Sequence, residues 1–296
     1  MTIPLTWKDP NAIISCNWLH DNLYNSDLRI YDCTTYLHYK DNNPTLPYIV
    51  ESGREKYEII HIPNSSFMDL HLDLSDKASP YRFTLPKLEA LAEKFKKLGI
   101  GSDFHTILYS RNGAQWSARL WWMLKSVGID NVSILDGGFN EWKKNGLPTS
   151  QESLTFLPSD FDFIPRENIF VDKQAVLEAI DSDSTIILNS LTADIHKGQN
   201  PRYGRPGRIP KSKNIPFHEL LDSETGKFKT FEELTKIFET NKITKGKNIL
   251  NYCGGGIAAS LEAFVLYQLG FKNIAIYDNS LHEWAAIDQT LPMEND

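Results

Sequence analysis

Short β-branched or apolar runs alternate along this chain with longer stretches of helical period. In the first half the runs are Leu28-Arg29-Ile30-Tyr31, Thr106-Ile107-Leu108-Tyr109 and Val132-Ser133-Ile134-Leu135. In the second they are Thr185-Ile186-Ile187-Leu188, Asn248-Ile249-Leu250-Asn251-Tyr252 and Asn273-Ile274-Ala275-Ile276-Tyr277. Their length and composition predict strands. Between them lie helical patterns over Ser117 to Val127 and Ala258 to Leu269, stopped at Gly128 and Gly270, where a left-handed cap favours glycine. The alternation predicts an α/β protein whose parallel sheets are flanked by helices.

The pattern also repeats. Ile134-Leu135-Asp136-Gly137-Gly138-Phe139-Asn140-Glu141-Trp142, closing with Leu147-Pro148, returns as Ile276-Tyr277-Asp278-Asn279-Ser280-Leu281-His282-Glu283-Trp284, closing with Leu291-Pro292. His61-Ile62-Pro63-Asn64-Ser65 has its counterpart in Arg208-Ile209-Pro210-Lys211-Ser212. The copies lie about 142 to 147 residues apart, which is a domain-sized period. Two tandem domains are expected, 1–150 and 166–296, joined by a polar linker at 151–165 that has no helical period. Asp136 and Asp278, each at a strand end, read as turn-fixing residues, and Trp121-Trp122 as core on a helix face.

Composition narrows the function classes. The chain has 296 residues, 41% of them hydrophobic and 23% charged, and no apolar run of bilayer length. Met1 to Pro10 has neither the basic region nor the apolar run of a secretory signal, so a soluble cytoplasmic protein is expected. A net charge of -7 argues against nucleic-acid binding, so any anion must meet a local basic patch. Cys16, Cys33 and Cys253 are odd in number and lack metal-ligand spacing, which argues against a disulfide scaffold or a zinc site.

Candidate chemistry concentrates at Asn251-Tyr252-Cys253-Gly254-Gly255-Gly256-Ile257-Ala258. A strand ends at the cysteine, three glycines permit a tight reversal, and a helix begins with its amides pointing back at the sulfur. Such a position favours a thiolate, the nucleophilic form, and lies where open α/β sheets place their ligand sites. A buried packing cysteine would rarely need three bare glycines beside it. The stretch Pro201-Arg202-Tyr203-Gly204-Arg205-Pro206-Gly207-Arg208 supplies a local basic patch suited to a small carboxylate or sulfonate.

The cysteine loop resembles the active-site loop of rhodaneses. The likeness extends to Gln115-Trp116-Ser117-Ala118-Arg119-Leu120-Trp121-Trp122, Leu135-Asp136-Gly137-Gly138, Gly207-Arg208-Ile209-Pro210 and Tyr277-Asp278 with Glu283-Trp284, motifs of the tandem thiosulfate and 3-mercaptopyruvate sulfurtransferases. The resemblance implies two rhodanese-like domains and a ping-pong reaction. Cys253 would take sulfane sulfur from 3-mercaptopyruvate or thiosulfate as a persulfide, then pass it to cyanide, a thiol or a protein acceptor. It implies no metal or organic cofactor. It further implies a cradle of amides at Gly254, Gly255, Gly256, Ile257 and Ala258, with Arg202, Arg205 and Arg208 holding the anionic donor. Ser110 stands where the second domain has Cys253, so the first domain is expected to be catalytically silent.

The match has departures. Ile195 replaces a family arginine, with Lys197 nearby, and Asn189-Ser190-Leu191 stands where Asp, any residue and Arg are usual. His61 occupies a position proposed in some relatives for a proton relay, though a histidine before Ile-Pro also serves as a structural hydrogen-bonding residue. A phosphatase would need an arginine closing the loop, and Gly254 to Ser260 has none. A nucleotide-binding loop would need Gly-Lys-Ser or Gly-Lys-Thr after the glycines. The remaining alternative is a non-catalytic rhodanese-fold binding or sulfur-carrier module. The uncharged loop suggests a modest preference for 3-mercaptopyruvate over thiosulfate.

Overall fold

The computed structural model describes residues 6–40, 43, 46–287 and 289–296. In chain order its strands are β1 (Ile13–Ile14), β2 (Leu28–Asp32), β3 (Thr35–Tyr39), β4 (Tyr48–Ser52), β5 (Ser65–Phe67), β6 (His105–Tyr109) and β7 (Val132–Leu135). They continue with β8 (Phe170–Val171), β9 (Thr185–Asn189), β10 (Lys213–Asn214), β11 (Asn248–Tyr252) and β12 (Ile274–Tyr277). The six expected strands are all present, within one residue at each end. Two five-stranded parallel sheets form, in the orders β1-β7-β6-β2-β5 and β10-β9-β11-β12-β8. Read from opposite edges the two orders match, so β6 and β11 are equivalent central strands. Both are buried from their second residue on, as strands covered on two faces must be. The antiparallel pair β3–β4 stands apart from both sheets.

The two expected helices span Gln115–Ser126 and Ile257–Gln268. Gly128 and Gly270, just beyond them, have φ of 106° and 86°, which a side chain at Cβ would disfavour. Each helix is buried almost all round, because it is pressed between its own sheet and the other helix. Trp121 meets Phe264 edge-on at 5.0 Å, and the Trp122 indole N–H donates to the Ser260 carbonyl at 3.1 Å. The tryptophan pair is therefore core, as its spacing suggested, but core shared between the halves. Residues 151–166 contain no helix or strand, yet they are not loose. Ser159, Ile164 and Arg166 donate backbone N–H groups to Lys96, Val127 and Ser126, and Phe161 is buried.

The strand-end aspartates do more than fix turns. Asp136 accepts the backbone N–H of Phe228 at 2.9 Å, from the opposite half of the chain. Asp278 accepts the Leu85 N–H at 2.7 Å and pairs with the Arg119 guanidinium at 2.5 Å. Burial pushes the Asp136 carboxyl up to about 6, with its hydrogen bonds opposing that shift. Arg119 has no solvent exposure, so taking away its one carboxylate strands a buried cation. Asp278→Ala should lower the unfolding free energy by about 3–5 kcal/mol, and the paired replacement Arg119→Met with Asp278→Leu should recover part of it. Urea denaturation of the three proteins checks this; equal midpoints for Asp278→Ala and the parent would show that the pair contributes nothing.

Candidate active site

Cys253 is the first residue after the central strand β11, 2% exposed, at the carboxyl end of the second sheet. The next three residues turn into the helix Ile257–Gln268, whose N-cap is Gly256 with φ of 74°. Two of the three glycines have no room for a side chain. A Cβ on Gly254 would stand 2.2 Å from the Tyr203 hydroxyl, and one on Gly256 would stand 2.7 Å from the Asp278 carbonyl and 2.8 Å from Arg119 Nη1. Gly255 has room: a Cβ there would lie 3.6–3.7 Å from the Arg82 carbonyl, the Tyr48 hydroxyl and His282 Nδ1. The amides of Gly254 and Gly255 donate to no protein group among the described residues, and those of the first helical turn have none to reach. Ile257 and Ala258, both buried, continue this turn.

The loop is clamped from β12. Ser280 donates its hydroxyl to the Tyr277 carbonyl at 2.7 Å and accepts the amides of Cys253 at 3.0 Å and Gly256 at 3.2 Å. It does so with φ of 51°, a left-handed conformation that costs a non-glycine residue on the order of 1 kcal/mol. Two buried amides satisfied together offset that cost. Gly138 holds the corresponding place in the first half, with φ of 56°. Leu281 and His282 complete the clamp, donating N–H groups to the carbonyls of Cys253 at 3.1 Å and Gly254 at 2.8 Å.

The first half supplies much of the wall over the loop. Tyr39 and Tyr48 come from the β3–β4 pair, and Arg82 donates from its guanidinium to the Tyr48 carbonyl. The Tyr48 hydroxyl lies 3.4 Å from His282 Nδ1, and Tyr203 meets the His282 ring edge-on at 5.8 Å. Burial, then the Arg82 charge, holds His282 down at about 4, so its ring is neutral at pH 7. Burial pushes the phenols of Tyr39, Tyr48 and Tyr203 up, so these too stay neutral. None of these residues was legible as a site residue in the sequence. Only the position of His282 beside the Glu283-Trp284 motif, five residues past the end of β12, could have hinted at one of them.

The arginine patch divides in the fold. Arg202 lies over the Tyr39 ring at 4.2 Å, and no carboxylate among the described residues pairs with it. Arg205 instead donates to the carbonyls of Trp284 at 2.5 Å, Leu291 at 2.6 Å and Ala286 at 3.3 Å. Arg208 pairs with Glu294 at 2.5 Å and Asp296 at 2.7 Å. Both fasten the C-terminal segment, which leaves their guanidinium groups spent where donor binding had been expected. Arg119 brings a further cation under the loop: its Nε and Nη1 have no hydrogen-bond partner among the described residues. His61 is fully buried, stacked on Tyr57 at 4.1 Å, with both ring nitrogens against the carbonyls of Tyr57 and Glu152. That is the structural role, and it leaves no nitrogen for a relay. Ile195 is buried and Lys197 exposed.

Around Ser110 the equivalent loop lines a small cavity of about 200 Å³. Arg111, next to it, pairs with the buried Asp32 at 3.0 Å and lies over the Phe139 ring at 3.8 Å. Asn189 is the match of Asp32, each ending the strand beside the central one. Its side chain donates to the Tyr252 hydroxyl and accepts the Leu191 N–H, both at 2.8 Å. The residue matching Arg111 is Gly254, so a carboxylate at 189 would lack a counter-ion. Leu191 likewise replaces the arginine usual two residues on, so the neutral amide at 189 goes with the loss of both cations.

Comparison with known proteins agrees with this architecture. The rhodanese-like domain family matches residues 15–145 and 174–287. Thiosulfate/3-mercaptopyruvate sulfurtransferase 2 of Arabidopsis thaliana is 30% identical, the alignment covering 95% of this chain and 86% of that protein. The 3-mercaptopyruvate sulfurtransferase of Homo sapiens and the thiosulfate sulfurtransferase of Bos taurus are each 31% identical, covering 92% of this chain and 91% of theirs. Among solved structures, the Escherichia coli protein SseA, described as having the rhodanese fold, superposes with a TM-score of 0.75 at 27% identity, covering 91% of this chain and 98% of that one. With both halves matched and the likeness running through nine-tenths of the sequence, the chain belongs to the rhodanese family.

Proposed function

We propose that the chain is a sulfurtransferase that moves sulfane sulfur from 3-mercaptopyruvate or thiosulfate, through a persulfide on Cys253, to cyanide, a thiol or a protein acceptor. The observation that carries this reading is the loop itself: a cysteine at the end of a central strand, followed by the amides of Gly254 and Gly255, which no protein group among the described residues uses. Relatives at 30–31% identity named as such sulfurtransferases support it. In the first half-reaction the Cys253 thiolate attacks the donor sulfur. A sulfur–sulfur bond forms while the donor's carbon–sulfur or sulfur–sulfur bond breaks, releasing pyruvate after protonation at carbon, or sulfite. In the second, the acceptor attacks the outer persulfide sulfur and the thiolate returns. The free amides of Gly254, Gly255, Ile257 and Ala258 stabilise the anionic sulfur in both steps, while that of Gly256 stays on Ser280.

The proposal includes a division of labour. Residues 1–150 form a silent domain with Ser110 at the matching position, 151–165 link it to the catalytic domain 166–296, and the silent domain contributes Tyr39, Tyr48 and Arg82 to the wall. The three free cysteines suit a reducing, cytoplasmic setting. No helix among the described residues is long and apolar enough to cross a membrane.

Three outcomes test this. Cys253→Ser should abolish thiocyanate formation from cyanide while the protein keeps its parental circular dichroism, and Cys16→Ser should not, because its sulfur lies elsewhere against the Asp136 carbonyl. Persistence of near-parental turnover in Cys253→Ser ends the proposal. Arg202→Ala should raise the donor KM by about tenfold or more, equivalent to roughly 1–3 kcal/mol, with Arg202→Lys recovering part of it. Arg205→Ala should act through the melting temperature instead, since its guanidinium binds carbonyls. For the donor, kcat/KM should favour 3-mercaptopyruvate modestly: the loop offers amides rather than basic side chains, which suits a monocarboxylate over a compact dianion. A clear advantage for thiosulfate would contradict that reading of the loop.

A further inference from the structure

A cleft of about 820 Å³ opens at the end of the second sheet opposite Cys253. Thr185 and Asn248, the first residues of β9 and β11, lie on its edge, whereas Cys253 follows the last residue of β11. Five residues of strand put roughly 16 Å between the two ends. The floor is apolar: Ile169, Val171, Ala175, Ile274 and Ala275 are only half-buried, a strip of sheet and helix that neither half covers. The rim is cationic. Lys125 and Arg166 spend their charge on Asp130, at 2.8 and 2.7 Å. Lys8 and Lys272 pair with no carboxylate among the described residues, and Glu178 is the other acid on the lining. The Lys8 ammonium sits over the Tyr267 ring at 3.7 Å, and burial together with the charges of Lys125 and Lys272 holds it below the usual lysine range.

We propose that this cleft is a second ligand site for an amphipathic anion, an apolar body carrying one carboxylate or sulfonate, which lays the body on the Val171–Ala175–Ile274 floor and its charge against Lys8 and Lys272. The volume lies within the range of small-molecule sites, and the chain's net charge of -7 makes an unneutralised cationic rim an exception on its surface. An anion relieves the mutual repulsion of the lysines, and an apolar body covers sheet surface that water now wets. The site is independent of sulfur transfer, since its lining shares no residue with the cysteine loop. It has a built-in reporter, because Trp122 lies on its inner wall.

Fluorescence titration with anilinonaphthalene sulfonate, with decanoate as competitor, tests the site on the full chain. The expected result is saturable binding of one probe per chain, displaced by decanoate and not by 3-mercaptopyruvate, with a change in tryptophan emission. Ala175→Trp fills the floor and the double change Lys8→Glu, Lys272→Glu reverses the rim. Each should weaken the probe by about tenfold or more, the equivalent of one lost charge-assisted contact, without altering sulfur transfer. Non-saturable binding, affinity unchanged in Ala175→Trp, or displacement by 3-mercaptopyruvate would overturn the site. Loss in Ala175→Trp without loss in the lysine variant would overturn its assignment to an anion.

Discussion

The arrangement depends on one buried cation held between the halves. Arg119 leaves a first-half helix, pairs with Asp278 at the end of β12, and reaches to within contact of Gly256. A guanidinium with no solvent exposure demands a counter-ion, and the only one it meets among the described residues belongs to the other half. That requirement fixes Asp278, and with it the β12 end from which Ser280 clamps the cysteine loop. The loop is thus a product of both halves, although its own residues all come from the second. The same docking places Tyr48 and Arg82 over it.

Two sheets of the same strand order carry opposite loops, and charge explains how they diverge. In the first half an arginine follows Ser110 and neutralises Asp32. In the second, glycine follows Cys253, the arginine is gone, and the strand-end acid has become Asn189. The cation beside the loop and the strand-end carboxylate it would neutralise are thus absent together. Another buried acid, Glu262, is pushed up to about 8 by burial and donates nothing to the cysteine; its partner is the Ser190 hydroxyl. Protonated at neutral pH, it packs as a polar core residue.

What the sequence made legible was local. Strands of four or five residues rich in β-branched and apolar side chains, helices ended by Gly128 and Gly270, and a cysteine followed by three glycines each carry their reason within a few positions. The two-residue strands β1, β8 and β10 were not legible, because only pairing with a neighbour makes them strands. Nor was the tyrosine wall: Tyr48 and His282 are 234 positions apart, and no spacing rule connects them. The arginine patch misled for a related reason. Arg202, Arg205 and Arg208 look equivalent along the chain, yet three carbonyls and two C-terminal carboxylates claim the second and third. Asp136 and Asp278 likewise looked like turn residues until each met the other half.

Those features bring Cys253 together with the free amides of Gly254 and Gly255 and, beneath the loop, a buried cation, and the account stands on the sulfur proposed there. Intact-protein mass spectrometry after incubation with 3-mercaptopyruvate, without reductant, reads that sulfur directly. The predicted result is a mass gain of one sulfur atom on Cys253, lost on adding cyanide and absent in Cys253→Ser. An unmodified protein, or sulfur carried on Cys16 or Cys33 instead, would contradict the account.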